Sequence, residues 1–299
     1  MNKNIFRFLT VLFALSAYSL SYSQHSISVW TGGGLSALNA KVSSDFNKEN
    51  KIRYNLGVGY TYDFNSKLSL NAGLEYIRYA SKISSGTISD SYIANDGEED
   101  FLFSYEVDYT EDISSGSLSL PVTVQYLFPI GIGNIYAAGG LKWGLLNKVN
   151  STNTYNNLIA TGTYENYDYT FTDLNHQGFG VFKDNSNPDK YSMKMSVAMT
   201  LEGGLQWELS DKLKLDSGLY FDLGFNNINK HSDSNYYIEY DHHGLDGGSL
   251  ANNSALSSMF SDGNSFVNKL KPMCFGIKVK LYYSLSEKSS GSAPTNYRW

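Results

Sequence analysis

The sequence has very little cysteine. Cys274 is the only cysteine among 299 residues, so the chain cannot form an internal disulfide framework. No cysteine follows the N-terminal apolar segment, where a lipid anchor would need one. Cys274 lies on the polar side of an alternating segment, and we expect a small buried thiol there rather than a reactive one.

Charged residues, proline and long apolar runs are also scarce. Only 17% of the residues are charged, the net charge is −6, and there are five prolines. The acidic balance argues against nucleic acid as a partner, because phosphate binding needs clustered Lys and Arg. No segment beyond the N terminus has about eighteen consecutive apolar residues, so we expect no transmembrane helix. Tyrosine (24) and glycine (27) are abundant, which is typical of an all-β protein with polar loops.

The residues from Met193 to Phe225 show the main pattern of the chain. Apolar side chains such as Met195, Val197 and Met199 occupy every second position, and the alternation resumes after the short turn Ser210–Lys212. A period of two predicts a strand with one apolar and one polar face. These strands exceed the usual length of about 5–6 residues and match the roughly 9–11 residues that cross a membrane in a barrel. The stretch therefore predicts a barrel wall.

Eight segments of this kind occur along the chain. They lie at residues 27–38, 52–62, 68–76, 118–128, 135–145, 193–209, 213–225 and 273–285. Long and short connections alternate, as in outer-membrane barrels with short periplasmic turns. The predicted fold is all-β, an eight-stranded antiparallel transmembrane up-and-down β-barrel with long outer loops. It would lie in a Gram-negative outer membrane with both termini in the periplasm.

A ninth alternating segment, Phe101–Tyr109, lies inside the first of the three longest connections, 81–116, 147–191 and 226–271. As a membrane strand it would place long loops on both sides of the membrane. We therefore predict an extension of a strand above the membrane.

The two ends of the chain have different compositions from the barrel. Lys3 and Arg7 precede an apolar run of about ten residues and a small-x-small site at Ser21–Ser23, the pattern of a signal peptide over residues 1–23. The barrel domain is expected over residues 24–285. Residues 286–299 are rich in Ser, Gly and Asn, and we expect a flexible periplasmic tail.

Three short motifs resemble the PorT-like outer-membrane β-barrel family: Gly73-Leu74-Glu75-Tyr76, Leu118-Ser119-Leu120-Pro121-Val122 and Ala138-Gly139-Gly140-Leu141. The layout from Gln24 to Leu285 is similar as well. The resemblance implies an eight-stranded outer-membrane barrel and no particular reaction, and the best-known namesake supports protein secretion. The chain departs from members that end on a strand-final aromatic; Trp299 or Tyr283 would then supply that assembly signal.

The polar faces of the predicted strands carry charges of both signs. We expect these side chains to pair as a charge network in a lumen too narrow for an open pore, because isolated buried charges are costly. The predicted network consists of Arg53, Glu75, Lys142, Lys194, Glu202, Glu208, Lys214, Asp216, Asp222, Lys278 and Lys280. A path for protons or small ions along them is the alternative interpretation.

The outer connections carry the remaining candidates. Nine carboxylates and no Lys or Arg lie between Ser84 and Gly116, which indicates either a solvated acidic surface or a site for hard cations such as calcium. A second connection contains His231, His242 and His243 near Asp233, Asp241 and Asp246, a weak zinc or copper signature. Tyr-rich loops such as residues 155–169 have a composition that suits recognition. The alternative is ordinary loop solubility, with the aromatic residues at the membrane interface.

The leading hypothesis is an integral outer-membrane β-barrel protein without catalysis or cofactors, whose surface loops serve binding or envelope structure. Its expected partners are outer-membrane lipid and an unknown extracellular ligand or envelope protein. The first alternative is a small-solute or lipid transporter or channel. The second, an accessory factor in protein secretion, follows from the resemblance alone.

Overall fold

The computed structural model describes residues 24–42, 46–130, 133–230, 235–244 and 247–285. The predicted signal peptide and tail lie outside these residues, as do His231, Asp233, Asp246 and Trp299. Two 3-10 helices, Glu165–Tyr167 and Asn175–Gln177, accompany the strands. The strands are β1 Gln24–Val42, β2 Phe46–Asn50, β3 Ile52–Asp63, β4 Leu68–Asn95, β5 Asp100–Ile130, β6 Gly133–Tyr164, β7 Tyr169–Phe171, β8 Gly180–Tyr191, β9 Ser196–Glu208, β10 Leu213–Gly224, β11 Asn235–Tyr236, β12 Ile238–Gly244, β13 Gly247–Asn252, β14 Ser258–Met259 and β15 Val267–Ser284.

Eight of these strands form a closed ring. The order around the ring is β1, β3, β4, β5, β6, β9, β10 and β15, and every pairing is antiparallel. β15 pairs back with β1 from Ser284 opposite Ser26 onwards, so the sheet of eight strands closes on itself. The eight-stranded antiparallel barrel predicted from the sequence is confirmed. Among the described residues, no helix is long and apolar enough to cross a bilayer.

The barrel turns its apolar side chains outward. On β10, Leu219 is 53% exposed, whereas Asp216 and Asp222 on the alternate face are 1% and 2% exposed. Every other residue of a strand points to the same side, so one face of each strand meets the surroundings and the other meets the lumen. An exposed apolar belt around a polar interior is the arrangement that lipid requires.

Three ring strands continue far beyond the belt. β4, β5 and β6 have 28, 31 and 32 residues, about three times the length needed to cross a membrane. Two predicted long loops are therefore mostly strand: β4 and β5 pair as far as Asn95 opposite Asp100, and β8 pairs with β6. Residues 101–109 are found inside β5, as the predicted extension. Along β5 the pairing continues because residues 101–109 alternate in burial as the wall residues do.

The extended strands and the connection after β10 fold together around an aromatic core. We call this region the cap and define it as residues 81–115, 148–193 and 227–267. Phe103, Val107 and Tyr109 on β5 are buried, and so are Tyr237 and Phe266 from the last connection. Tyr237 meets Tyr109 edge to face with ring centroids 4.8 Å apart. The same cluster of buried residues runs down to the barrel interior, so the cap closes one end of the ring.

Candidate functional site

Lys142 on β6 is the centre of an ion network inside the barrel. Its Nζ lies 2.7 Å from Oε1 of Glu75 on β4 and 2.6 Å from Oδ2 of Asp222 on β10. Lys142 is 2% exposed and Glu75 is fully buried. Strands β4 and β10 lie on opposite sides of the ring, so one ammonium group joins opposite walls. Removal of Lys142 would leave two buried carboxylates, Glu75 and Asp222, without the ammonium group that they share.

Two further lysines continue the network on β15. Nζ of Lys278 lies 2.5 Å from Oε1 of Glu202 and 3.8 Å from Oε2 of Glu75. Lys280 lies 3.6 Å from Oε2 of Glu202. The network thus crosses the lumen a second time, from β15 to β9 and β4.

Trp30 on β1 fills the space beside these charges. Its Nε1 donates a hydrogen bond of 2.8 Å to Oε2 of Glu75. The ring occupies a slot lined by Gly57, Gly59 and Gly73, because a Cβ at Gly57 would lie 2.1 Å from Cε2 of the indole. The cavity that remains between Trp30, Thr123 and Lys278 measures about 10 Å³, room for at most one water.

Asp216 is held by neutral donors in a separate layer of the lumen. Gln206 and Gln125 donate through Nε2 at 2.8 and 3.1 Å, and the hydroxyl of Tyr282 donates at 2.8 Å. A buried carboxylate needs such partners when no ammonium group is in direct contact. This layer closes the lumen on the side of the network nearer the short turns.

Seven of the eleven predicted network residues meet in the lumen: Glu75, Lys142, Glu202, Asp216, Asp222, Lys278 and Lys280. They carry three positive and four negative charges. The other four lie elsewhere. Lys194 is exposed and precedes β9. Glu208 is exposed and lies opposite half-buried Lys214 at the end of the β9–β10 hairpin. Arg53 is half-buried and donates a hydrogen bond to the carbonyl of Ile52. The alternation of apolar and polar residues continues beyond the part of each strand whose polar face is buried in the lumen. The prediction from alternation therefore included four charged residues at the strand ends that lie outside the network.

The sequence prediction missed Trp30, Gln125, Gln206 and Tyr282. All four share the period-two phase of lumen residues in their strands, and that signal was available. Their neutral side chains were overlooked because only charges were selected. Cys274 is buried, with Sγ 3.2 Å from Oγ of Ser36.

The cap is strongly acidic. It contains 19 Asp and Glu but five Lys and no Arg, a formal charge of −14, whereas the whole chain carries −6. Lys82, one of these five lysines, lies at the end of the cap near the barrel, opposite Asp112. Asp112 also forms an ion pair with Lys51 there. The negative charge is therefore concentrated at the end farthest from the short turns, where it attracts cations.

An open groove of about 490 Å³ lies at the tip of the cap. Tyr164, Tyr167, Phe171 and Phe179 contribute aromatic rings, and three carboxylates come from the turn Asp96–Glu99. The hydroxyl of Tyr164 donates to Oδ2 of Asp96 at 2.8 Å. Burial alone would raise the pKa of Asp96, but donation from the backbone N–H groups of Glu99 and Glu98 lowers it. Aromatic faces beside carboxylates form a surface suited to ammonium and guanidinium groups.

The cap also brings Asp241, His242 and His243 together. All three are exposed, and one ligand atom from each lies within 4.8 Å of the others. Elsewhere in the cap, Glu111 is completely buried and accepts hydrogen bonds from Ser151, Ser254 and the N–H of Ala255. Burial raises the pKa of this carboxyl to about 7 despite these donors.

The closed ring, the apolar belt and the polar lumen define the chain as a transmembrane β-barrel protein of the outer membrane. It belongs to the family of the outer membrane protein beta-barrel domain, whose pattern matches residues 21–230. No curated protein matches the sequence.

Several solved barrels are similar in shape. Neisserial surface protein A shares 11% identity at a TM-score of 0.32, with 88% of this chain and 99% of that chain covered. Ail, the attachment invasion locus protein of Yersinia pestis, shares 9% at 0.29, with 87% and 99% covered. The translocator domain of autotransporter NalP from Neisseria meningitidis shares 11% at 0.24, with 94% and 95% covered. These scores are low, and the strand count here rests on the pairing within this chain.

Proposed function

We propose that this protein is a non-catalytic surface-binding protein of the outer membrane, in which the barrel is a closed anchor and the cap recognises a positively charged partner. The observation that carries the proposal is the acidic tip of the cap, where exposed Glu98 and half-buried Asp96 and Glu99 lie beside the exposed ring of Tyr167. The cap has a buried core of its own side chains, so this surface is presented on a rigid support.

The filled lumen supports an anchor rather than a channel. Lys142, Lys278 and Lys280 are paired with carboxylates across the ring, and the cavity beside Trp30 has room for at most one water. An eight-stranded barrel is only wide enough to be filled by side chains. We expect no stepwise currents from the purified protein in planar bilayers, and such currents would favour the transporter hypothesis.

The expected orientation places the cap outside the cell and both termini in the periplasm. Short turns connect β3 to β4, β5 to β6 and β9 to β10 at the end opposite the cap, and short turns are typical of the periplasmic side. Protease added to intact cells should cleave within the cap only. The PorT-like assignment and a role in secretion stay predictions that rest on the sequence motifs; an unchanged secretome in a deletion strain would exclude the secretion role.

Binding is tested with the full-length barrel in nanodiscs of zwitterionic lipid and a fluorescent oligolysine, with oligoglutamate as the probe of opposite sign. We expect oligolysine alone to bind, and its affinity to fall as salt screens the cap. The triple variant Asp96→Asn, Glu98→Gln, Glu99→Gln should weaken binding about tenfold, which corresponds to about 1.4 kcal/mol over three charges.

A matched control removes the same number of charges at the other end of the barrel. Asp63→Asn, Glu208→Gln and Asp211→Asn change the net charge equally but lie on the side of the short turns. Equal losses in the two triple variants would show a response to net charge rather than recognition by the tip. Absence of oligolysine binding at low salt would refute the proposal.

A further inference from the structure

We propose that Asp241, His242 and His243 bind a divalent transition-metal ion of the zinc class on the outer surface of the cap. One imidazole nitrogen from each histidine and one carboxylate oxygen would be the ligands, and the fourth position would remain open to water or to a partner. The site lies beside the acidic groove, on the other side of the turn Asp96–Glu99, and the proposal does not depend on the binding role proposed above.

A β-bulge places two consecutive histidines on one side of the hairpin. Asp241 is opposite Ser249 and Gly244 is opposite Gly247, so His242 and His243 together face the single residue Gly248. Neighbouring residues of a regular strand point to opposite faces. In a β-bulge, by contrast, two consecutive residues lie opposite a single residue of the partner strand. The two imidazole rings accordingly lie with their centroids 3.8 Å apart.

The carboxylate lies close enough to complete the set. Nδ1 of His243 is 3.1 Å from Oδ1 of Asp241, and the three ligand atoms lie within 4.8 Å of one another. Ligand atoms around zinc are roughly 3.3 Å apart, because the bonds measure about 2.0 Å. Small side-chain rotations therefore convert the existing cluster into a chelate, with the metal ion in place of the His243–Asp241 hydrogen bond.

The turn of β4 and β5 positions one of the two rings. A Cβ at Gly97 would lie 3.2 Å from Cδ2 of His242, and Gly97 has a φ of +99°, a conformation that side chains disfavour. The ring of His242 thus rests against a glycine backbone in the same turn that carries Glu98 and Glu99. This turn restricts the ring on one side and adds negative charge near the metal position.

The ligand types select the class of metal. Two imidazoles with one carboxylate suit zinc, copper or nickel, whereas calcium and magnesium need a larger set of oxygen ligands. The cap carries a formal charge of −14, which raises the local concentration of any divalent cation. The histidines therefore provide the selectivity and the surrounding carboxylates provide general attraction.

The test is a calorimetric titration of the full-length protein in detergent micelles with ZnCl₂. Excess CaCl₂ is present throughout, so that carboxylates that bind divalent ions nonspecifically are already saturated. We expect one zinc ion per chain. The double variant His242→Ala, His243→Ala should lose at least about tenfold in affinity, since removal of a ligand costs no less than removal of its supporting contacts. The control His25→Ala removes a histidine at the opposite end of the barrel and should bind as the wild type does.

Cobalt gives a second readout that a merely electrostatic effect would not produce. Co²⁺ should develop visible absorption bands of a four-coordinate site in the wild type and in His25→Ala, and lose them in the double variant. Zinc affinity that is equal in the double variant and the wild type would overturn the proposal. So would complete displacement of zinc by calcium, or no heat of binding at millimolar zinc.

Discussion

The indole N–H of Trp30 on β1 donates a 2.8 Å hydrogen bond to Oε2 of Glu75 on β4, across two strand boundaries of the barrel. The bond is possible because the strand between them carries glycines where the ring lies. Gly57 is opposite both Trp30 on one neighbour and Glu75 on the other. The indole ring of Trp30 and the three glycines that make room for it together close the lumen beside the lysines.

Gly57→Ala tests the slot beneath Trp30. The new Cβ would lie 2.1 Å from Cε2 of the indole, so the ring must move and its hydrogen bond to Glu75 must break. We expect a loss of about 1–3 kcal/mol in the free energy of unfolding, as for other overpacked cores. The free energy of unfolding is measured by urea titration, in which heat-modifiable gel migration gives the folded fraction at each urea concentration. Gly86→Ala, which meets no atom within 4 Å, should change the midpoint far less.

Lys142→Met tests the ion network. The substitution leaves Glu75 and Asp222 buried without their shared ammonium group, and breaking a buried pair in this way costs about 3–5 kcal/mol. The same urea assay should show a large shift of the unfolding midpoint. Exposed Lys194→Met is the control and should stay within about 0.5 kcal/mol of the wild type. Equal midpoints for both variants would contradict a structural role of the network.

Glu111 should make the cap less stable as the pH rises. Burial raises its pKa from 4.5 to about 7 in the folded protein. The folded state thus holds the proton more tightly, and the stabilisation is fully present below pH 4.5 and lost as the pH rises through 7. The size of the effect is about 3 kcal/mol. Hydrogen exchange at Ala255, whose N–H donates to Glu111, should therefore show more frequent opening at pH 8 than at pH 5 after correction for intrinsic rates.

Two variants separate this carboxyl from other acidic groups of the cap. Glu111→Gln should remove the pH dependence of opening, because the amide does not titrate. Glu106→Gln lies on the exposed face of the same strand and should retain it. A pH dependence that persists unchanged in Glu111→Gln would refute the assignment.

The barrel wall was predictable from the sequence because its signal is local. Alternation along a strand such as residues 213–225 is decided by lipid on one face and the lumen on the other, and it needs no knowledge of distant residues. The slot around Trp30 was not predictable, because Gly57 and Gly73 act only through the register of three strands. The cap was missed for a related reason: Phe103 and Tyr109 alternate as wall residues do, and their partner Tyr237 lies over 120 positions further along the chain.

Arginine substitutions test where the lipid belt ends. Leu219 lies near the middle of β10 and faces outward, so Leu219→Arg would place a charge near the centre of the bilayer at a cost of about 2–4 kcal/mol. Ile93 is even more exposed, but it lies on the cap part of β4, and Ile93→Arg should stay within about 0.5 kcal/mol of the wild type. Both variants add one positive charge to an exposed aliphatic site, so only the surrounding medium differs. Folding into liposomes at a series of urea concentrations measures the two free energies. A cost for Ile93→Arg as large as that for Leu219→Arg would mean that the membrane covers the cap strands, which would invalidate the division into anchor and cap.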